Sequence, residues 1–182
     1  MKRVFSGLID LADRLVGQAG RMAAWLGLAM VLLVAFGVLA RYLFAFGFVW
    51  LQELEWHLLA VTALIGMSYT LHRGDEVRVD ILYAYMGPRM KTLVRLLSAL
   101  LTLAVAVIIV KLSLPYVSQS RAMGEGSPDP GGLPHRFVLK GFIPLGFALL
   151  GLQALVQIRR LIVELRALSS RQSRPRGAEH GD

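Results

Sequence analysis

A chain of 182 residues that is 55% hydrophobic, only 18% charged and +0.58 in mean hydropathy is too apolar for an ordinary soluble domain of its length. Its formal charge of +8 sits at the flanks of apolar runs rather than on one soluble module, which argues for membrane topology and against nucleic acid as a partner. With no cysteine, neither a disulfide nor a thiolate metal site enters the reading.

Residues 4–16, VFSGLIDLADRLV, set apolar side chains at 4, 5, 8, 9, 11, 12, 15 and 16, with Ser6, Asp10, Asp13 and Arg14 mostly opposite. The pattern predicts an amphipathic helix on the cytoplasmic leaflet before the chain turns inward. Lys2, Arg3, Arg14 and Arg21 are then available to anionic lipid headgroups, and a plain extension of the first span is the alternative. Four stretches thin in charge follow. Each supports a helix of about 20 residues, which at ~1.5 Å per residue crosses a hydrocarbon core of ~30 Å. The predicted spans are 22–41, 49–71, 93–116 and 137–158. The first is longer than the core of a signal peptide and follows Asp10, Asp13 and Arg14, so it is read as retained.

The second span opens on WLQELEWHLLAV, residues 50–61. On a helix Glu53 and Glu55 lie about 200° apart, whereas Glu53 and His57 share a face, as do Gln52 and Glu55. An ionised side chain costs ~2.5–3.5 kcal/mol at the bilayer centre and much less at the interface, where Trp50 and Trp56 also prefer to sit. Carboxylates that point two ways suggest a polar contact to a neighbouring membrane subunit, or an interfacial cap. Arg41, brought to similar depth by the short link at 42–48, is the candidate partner of Glu53 or Glu55. The residues Arg41, Gln52, Glu53, Glu55 and His57 are therefore the candidates for subunit contact or helix pairing.

The loop YTLHRGDEVRVDILYAYMGPRMK, residues 69–91, reads as a polar connection with a short membrane-hugging segment, in which His72, Arg78 and Asp80 are candidate structuring residues. Pro88 suits the first turn of the third helix. The Pro- and Gly-rich stretch GEGSPDPGGLPHR precedes the fourth span. Inside that span Pro144 removes a backbone donor and predicts a kink, with Gly141 and Gly146 admitting a neighbouring helix. The polar tail, 167–182, is expected to be disordered.

Fifteen Lys and Arg residues fall on the side of the N-terminus, the 73–95 connection and the tail, against five at the opposite ends: Arg41, Lys111, Arg121, Arg136 and Lys140. The positive-inside rule therefore predicts both termini in the cytoplasm. The expected fold is a single all-α membrane domain of four transmembrane helices with an N-terminal amphipathic helix.

WLQELEWHLLAV, GMSYTLHRGDEVRVDILY and GLPHRFVLKGFIPLGFALLGLQAL, in this order across residues 20–160, resemble the small membrane subunit of tripartite ATP-independent periplasmic (TRAP) transporters. The resemblance implies a small permease subunit of the bacterial inner membrane. Its partners would be a large multi-span membrane subunit, and, through the complex, a periplasmic substrate-binding protein that delivers an organic acid. It implies sodium-driven uptake in which the large subunit carries substrate and sodium and the small one is a scaffold. Gln52, Glu53, Glu55, His72, Val77, Arg78, Val79, Asp80, Gly132, Leu133, Pro134, Pro144, Leu145 and Gly146 occupy the family-like positions. None of them becomes catalytic by that transfer.

The residues themselves agree with a supporting role, because continuous spans nearly empty of polar groups at mid-membrane offer little to coordinate a carboxylate or sodium. No catalytic, cofactor or metal site is read. His57, His72, His135 and His180 fall at different depths, apart from a possible His57–His135 match, which disfavours a haem-binding bundle. The alternative function is a self-sufficient homo-oligomeric channel or exporter.

Overall fold

A computed structural model describes residues 2–45, 47–74 and 85–172. Four helices account for most of them: α1 (Lys2–Phe44), α2 (Val49–Arg73), α3 (Pro88–Ala122) and α4 (Phe137–Gln172). All four are long and apolar enough to cross a membrane, and no strand occurs among the described residues.

Local chemistry explains where the helices stop. Gly74 closes α2 in the left-handed region at φ 73°, its N–H reaching back to the carbonyls of Leu71 and Thr70. Pro88 starts α3 at a position where its missing N–H removes no helical bond. Gly124, at φ 60°, follows the end of α3 and donates to the Arg121 carbonyl. Pro115 and Pro144 lie inside continuous helices.

The helices form an open row. α3 packs on α4, α4 on α2 and α2 on α1, with a narrower contact between α1 and α4. Small residues make these approaches close. The buried positions of α3 are Thr92, Ala99, Ala106, Ser113 and Ser120, one every seven residues, so one stripe faces α4 along the whole helix. On α4, a Cβ added at Gly151 would lie 3.3 Å from the Ala106 Cβ, and one at Gly146 would lie 2.8 Å from the Leu64 carbonyl oxygen. The α1–α2–α4 core centres on Ala23, Val61 and Ile65, flanked by Leu26, Phe142 and Leu149. Large apolar side chains stay exposed along both edges, among them Trp25, Leu32 and Phe36 of α1 and Leu97, Leu101 and Val107 of α3.

Two expectations about helix limits change. The amphipathic segment does not turn before the first span; it is the start of α1, which runs unbroken through Gly17 and Gly20. Those glycines serve α2 instead, since a Cβ at Gly20 would strike the Tyr69 ring. At the other end α4 continues to Gln172, six residues into the stretch expected to be disordered. Polar contacts between α3 and α4 favour this extension: Thr92 Oγ1 donates to Glu164 at 2.9 Å, Arg95 lies 3.7 Å from Glu164, and Arg89 donates to the Ser169 hydroxyl at 3.3 Å. Residues 173–182 lie outside the described residues.

Candidate functional site

The polar stretch at the head of α2 forms the centre of a compact assembly. Glu53 is only 1% exposed. Its carboxylate accepts the Ser127 hydroxyl and the backbone N–H of Leu133, the latter at 2.5 Å, and lies 3.5 Å from the Arg136 guanidinium. Donors alone surround it, which suits the acceptor-only character of an ionised carboxylate. A Cβ added at Gly132 would come within 2.8 Å of Glu53 Oε2, so the loop backbone can close over the carboxylate only where that side chain is missing. His57 Nδ1 lies 2.5 Å from the Glu53 carbonyl, one turn earlier, so Nδ1 carries the donated proton.

The loop between α3 and α4 folds around this anchor. Ser127 N–H donates to the Leu133 carbonyl, Gly132 N–H to Asp129, and Arg136 N–H to Glu125. A second carboxylate holds the other side: Glu125 accepts the Ser120 hydroxyl at 2.6 Å and bonds the Lys140 ammonium, which lies over the Tyr116 ring. Bonds from Lys140 and then Ser120 hold the Glu125 carboxyl below the usual carboxylate range despite partial desolvation, and the Lys140 and Arg136 charges add to this. Glu53 and Glu125 thus tie one loop to α2, α3 and α4.

The expected pairing of Arg41 with Glu53 or Glu55 is not what forms. Glu53 is claimed by the distant loop, so within the chain it is an internal anchor. Glu55 points elsewhere, toward α1, where a Cβ at Gly37 would be 3.0 Å from its Oε1. Arg41 and Gln52 are exposed and line the same crevice as Glu55. Among the described residues no ion pair joins Arg41 to either glutamate.

The remaining candidates divide. His72 lies in the last turn of α2 and bonds Asp13 of α1 at 3.0 Å, while Asp13 also pairs with Arg160 of α4 at 2.9 Å. Arg78 and Asp80 lie outside the described residues. Gly146 is a close-approach glycine, whereas a Cβ at Gly141 would meet nothing within 4 Å among the described residues. Sequence reasoning missed Glu125, Ser127, Arg136, Asp13 and Arg160 as anchor residues. It also missed Gln153, which is 1% exposed inside α4 with an unpaired side-chain oxygen. The only available signal was an acid among many basic residues, at Asp13 and Glu125.

Among the described residues no group of three or more His, Asp or Glu side chains could hold a metal. The contacts of this site are those of an anchor: the buried Glu53 and the half-buried Glu125 fix a loop and helix ends. Residues 30–164 match the family model described as tripartite ATP-independent periplasmic transporters, DctQ component. No curated protein matches the chain.

Proposed function

The chain belongs to the DctQ component family of tripartite ATP-independent periplasmic transporters, and from that premise we propose that it is the scaffold subunit of a secondary transporter for organic acids. The large membrane subunit carries the substrate and the coupling sodium and moves them. A periplasmic binding protein supplies the substrate. Both termini face the cytoplasm, in line with the fifteen-to-five division of Lys and Arg, and the Glu53-anchored loop faces the periplasm.

One observation carries this reading: the helices stand in an open row, locked together by polar contacts at the two ends, with apolar edges left uncovered. Such a row can be covered by lipid or by another membrane protein. The acidic groups Asp13, Glu53, Glu125 and Glu164 at the ends are spent on contacts within the chain, which supports a fixed support rather than a solute path.

The test has two arms. Gentle extraction of the tagged chain from its native membrane should bring with it a polytopic partner of much larger size. Reconstituted alone in vesicles, the chain should pass no organic anion down a sodium gradient. Uptake by the chain alone would overturn the scaffold assignment and favour the self-sufficient homo-oligomer.

A further inference from the structure

The inner ends of α1 and α2 enclose a second polar feature, remote from the Glu53 loop. An open cleft of about 490 Å³ lies between them, lined by Asp13, Arg14 and Arg21 of α1 and by Tyr69, His72 and Arg73 of α2. Gly17 forms part of its wall: a Cβ there would be 3.6 Å from His72 Nε2, so a larger side chain at 17 would fill the space. Asp13 contributes the acidic charge, and it is already matched by Arg160 at 2.9 Å and by His72. Arg14 and Arg21 are exposed and make no ion pair among the described residues. Arg73 lies over the Tyr69 ring, 5.9 Å from its centroid. The cleft is therefore an open cavity with excess guanidinium charge.

Its depth identifies the anion. Arg21 directly precedes the apolar run of α1, so it sits at the edge of the hydrocarbon. Arg14 is two turns nearer the N-terminus, about 10 Å further along the axis at 1.5 Å per residue. Together they bracket the headgroup layer, which adds only about 5–8 Å to each side of the hydrocarbon core. Guanidinium forks match phosphate oxygens in bidentate fashion.

We propose that Arg14 and Arg21 of α1, with Tyr69 and His72 of α2, form a binding site for the phosphate headgroup of an anionic phospholipid. The guanidinium groups hold the phosphate oxygens, and Tyr69 walls the cleft toward the hydrocarbon. The exposed apolar face of α1 above Arg21, including Met22, Trp25 and Leu28, gives the acyl chains a surface. A bound lipid then joins α1 to α2 beside the Asp13 contacts. The inference requires that the chain span a membrane, but not that any particular large subunit be its partner, so its failure would leave the permease reading intact.

The test uses the full-length chain in neutral detergent, titrated with dioleoyl phosphatidylglycerol, dioleoyl phosphatidylcholine or inorganic phosphate, with bound lipid counted by native mass spectrometry. The native chain and the control R166Q, altered at an exposed arginine of α4 outside the cleft, should retain phosphatidylglycerol over phosphatidylcholine. The double variant R14Q/R21Q should bind it at least about tenfold more weakly, the loss expected when charge-assisted hydrogen bonds go. Equal binding by all three proteins, or equal retention of the two lipids, would overturn the proposal. Displacement of phosphatidylglycerol by equimolar inorganic phosphate would overturn it too, marking a free-anion site. A photoreactive phosphatidylglycerol headgroup gives a readout on the native chain alone: cross-links should map to residues 13–21 and 69–73, and cross-links elsewhere would refute the site.

Discussion

The contact between α2 and α4 at Gly146 allows a sharp test of how the row is held. In Gly146→Ala the new Cβ would lie 2.8 Å from the Leu64 carbonyl oxygen and 2.9 Å from the Leu64 Cβ. Carbon atoms in contact prefer about 3.5–4.0 Å. The obstacle includes backbone, so no rotamer change clears it, and the two helices must part by roughly half an ångström or more. Overpacking of this kind costs about 1–3 kcal/mol. Alanine returns up to about 1 kcal/mol through its better helix propensity. The net expectation is a loss of about 1–2 kcal/mol. Gly141→Ala, five residues earlier on the same helix, is the matched control, because its Cβ meets nothing within 4 Å. It should stabilise by up to about 1 kcal/mol from propensity alone. The two variants should therefore move in opposite directions and differ by about 2 kcal/mol, roughly a thirtyfold difference in the folded-to-unfolded ratio. Unfolding of the full chain by sodium dodecyl sulfate in mixed micelles, followed by helical circular dichroism, reads both values. If Gly141→Ala and Gly146→Ala shift the transition in the same direction by similar amounts, close approach at Gly146 is not what holds α2 to α4.

Two further outcomes follow from the loop between α3 and α4. Glu53→Gln replaces an acceptor-only group with one that turns an amide N–H₂ toward donors, so tryptic cleavage after Arg136 should accelerate by more than about tenfold; Glu55→Gln, which disturbs none of these bonds, should stay within about twofold, and equal rates would refute the anchor. Glu125 is held below the usual carboxylate range by Lys140 and Ser120, so its contribution is fully present above that range and is lost only as pH falls through the lower folded value. Hydrogen-exchange protection of the Arg136 amide, which bonds the Glu125 carbonyl at 2.9 Å, should stay flat through neutral pH and drop only below about pH 4. It should be low at every pH in Glu125→Gln, and a drop between pH 5 and 7 in the native chain would point to a histidine instead.

Much of the architecture was legible from hydropathy alone. Four charge-poor stretches specify four helices because backbone polar groups in hydrocarbon must be satisfied within the segment. The resemblance carried by residues 50–61, 66–83 and 132–155 gave the family that the match over residues 30–164 shows. The partners of the polar residues were not legible. Helical periodicity separates Glu53 from Glu55 by about 200° but cannot say which one faces the protein. Arg41 was the nearest cation along the chain, whereas the donors that claim Glu53, namely Ser127, Leu133 and Arg136, lie 74 to 83 residues away, and all three sit in a loop with no periodicity to read. Asp13 looked like the wet face of a surface helix, because its partners His72 and Arg160 lie 59 and 147 residues away. Helix ends were misjudged for a related reason: hydropathy marks where lipid ends, while α3 and α4 continue past it as long as each supplies the other with polar contacts.

The distribution of those contacts bears on the proposed scaffold role. At one end Asp13 joins α1, α2 and α4, and Glu164 joins α4 to α3. At the other, Glu53 and Glu125 bind α2, α3 and α4 through one loop. Between them the helices meet through glycine, alanine and apolar side chains, which resist separation but alone do little to stop one helix sliding along another. Charge-assisted bonds at both ends supply what the middle lacks, because sliding by a single turn, about 5.4 Å, would break every one of them at once. A row in which α2, α3 and α4 are pinned in register at both ends, with α1 held at one, is mechanically a plate. A plate is what a moving subunit needs beside it, since a support that sheared with its load would transmit no relative displacement.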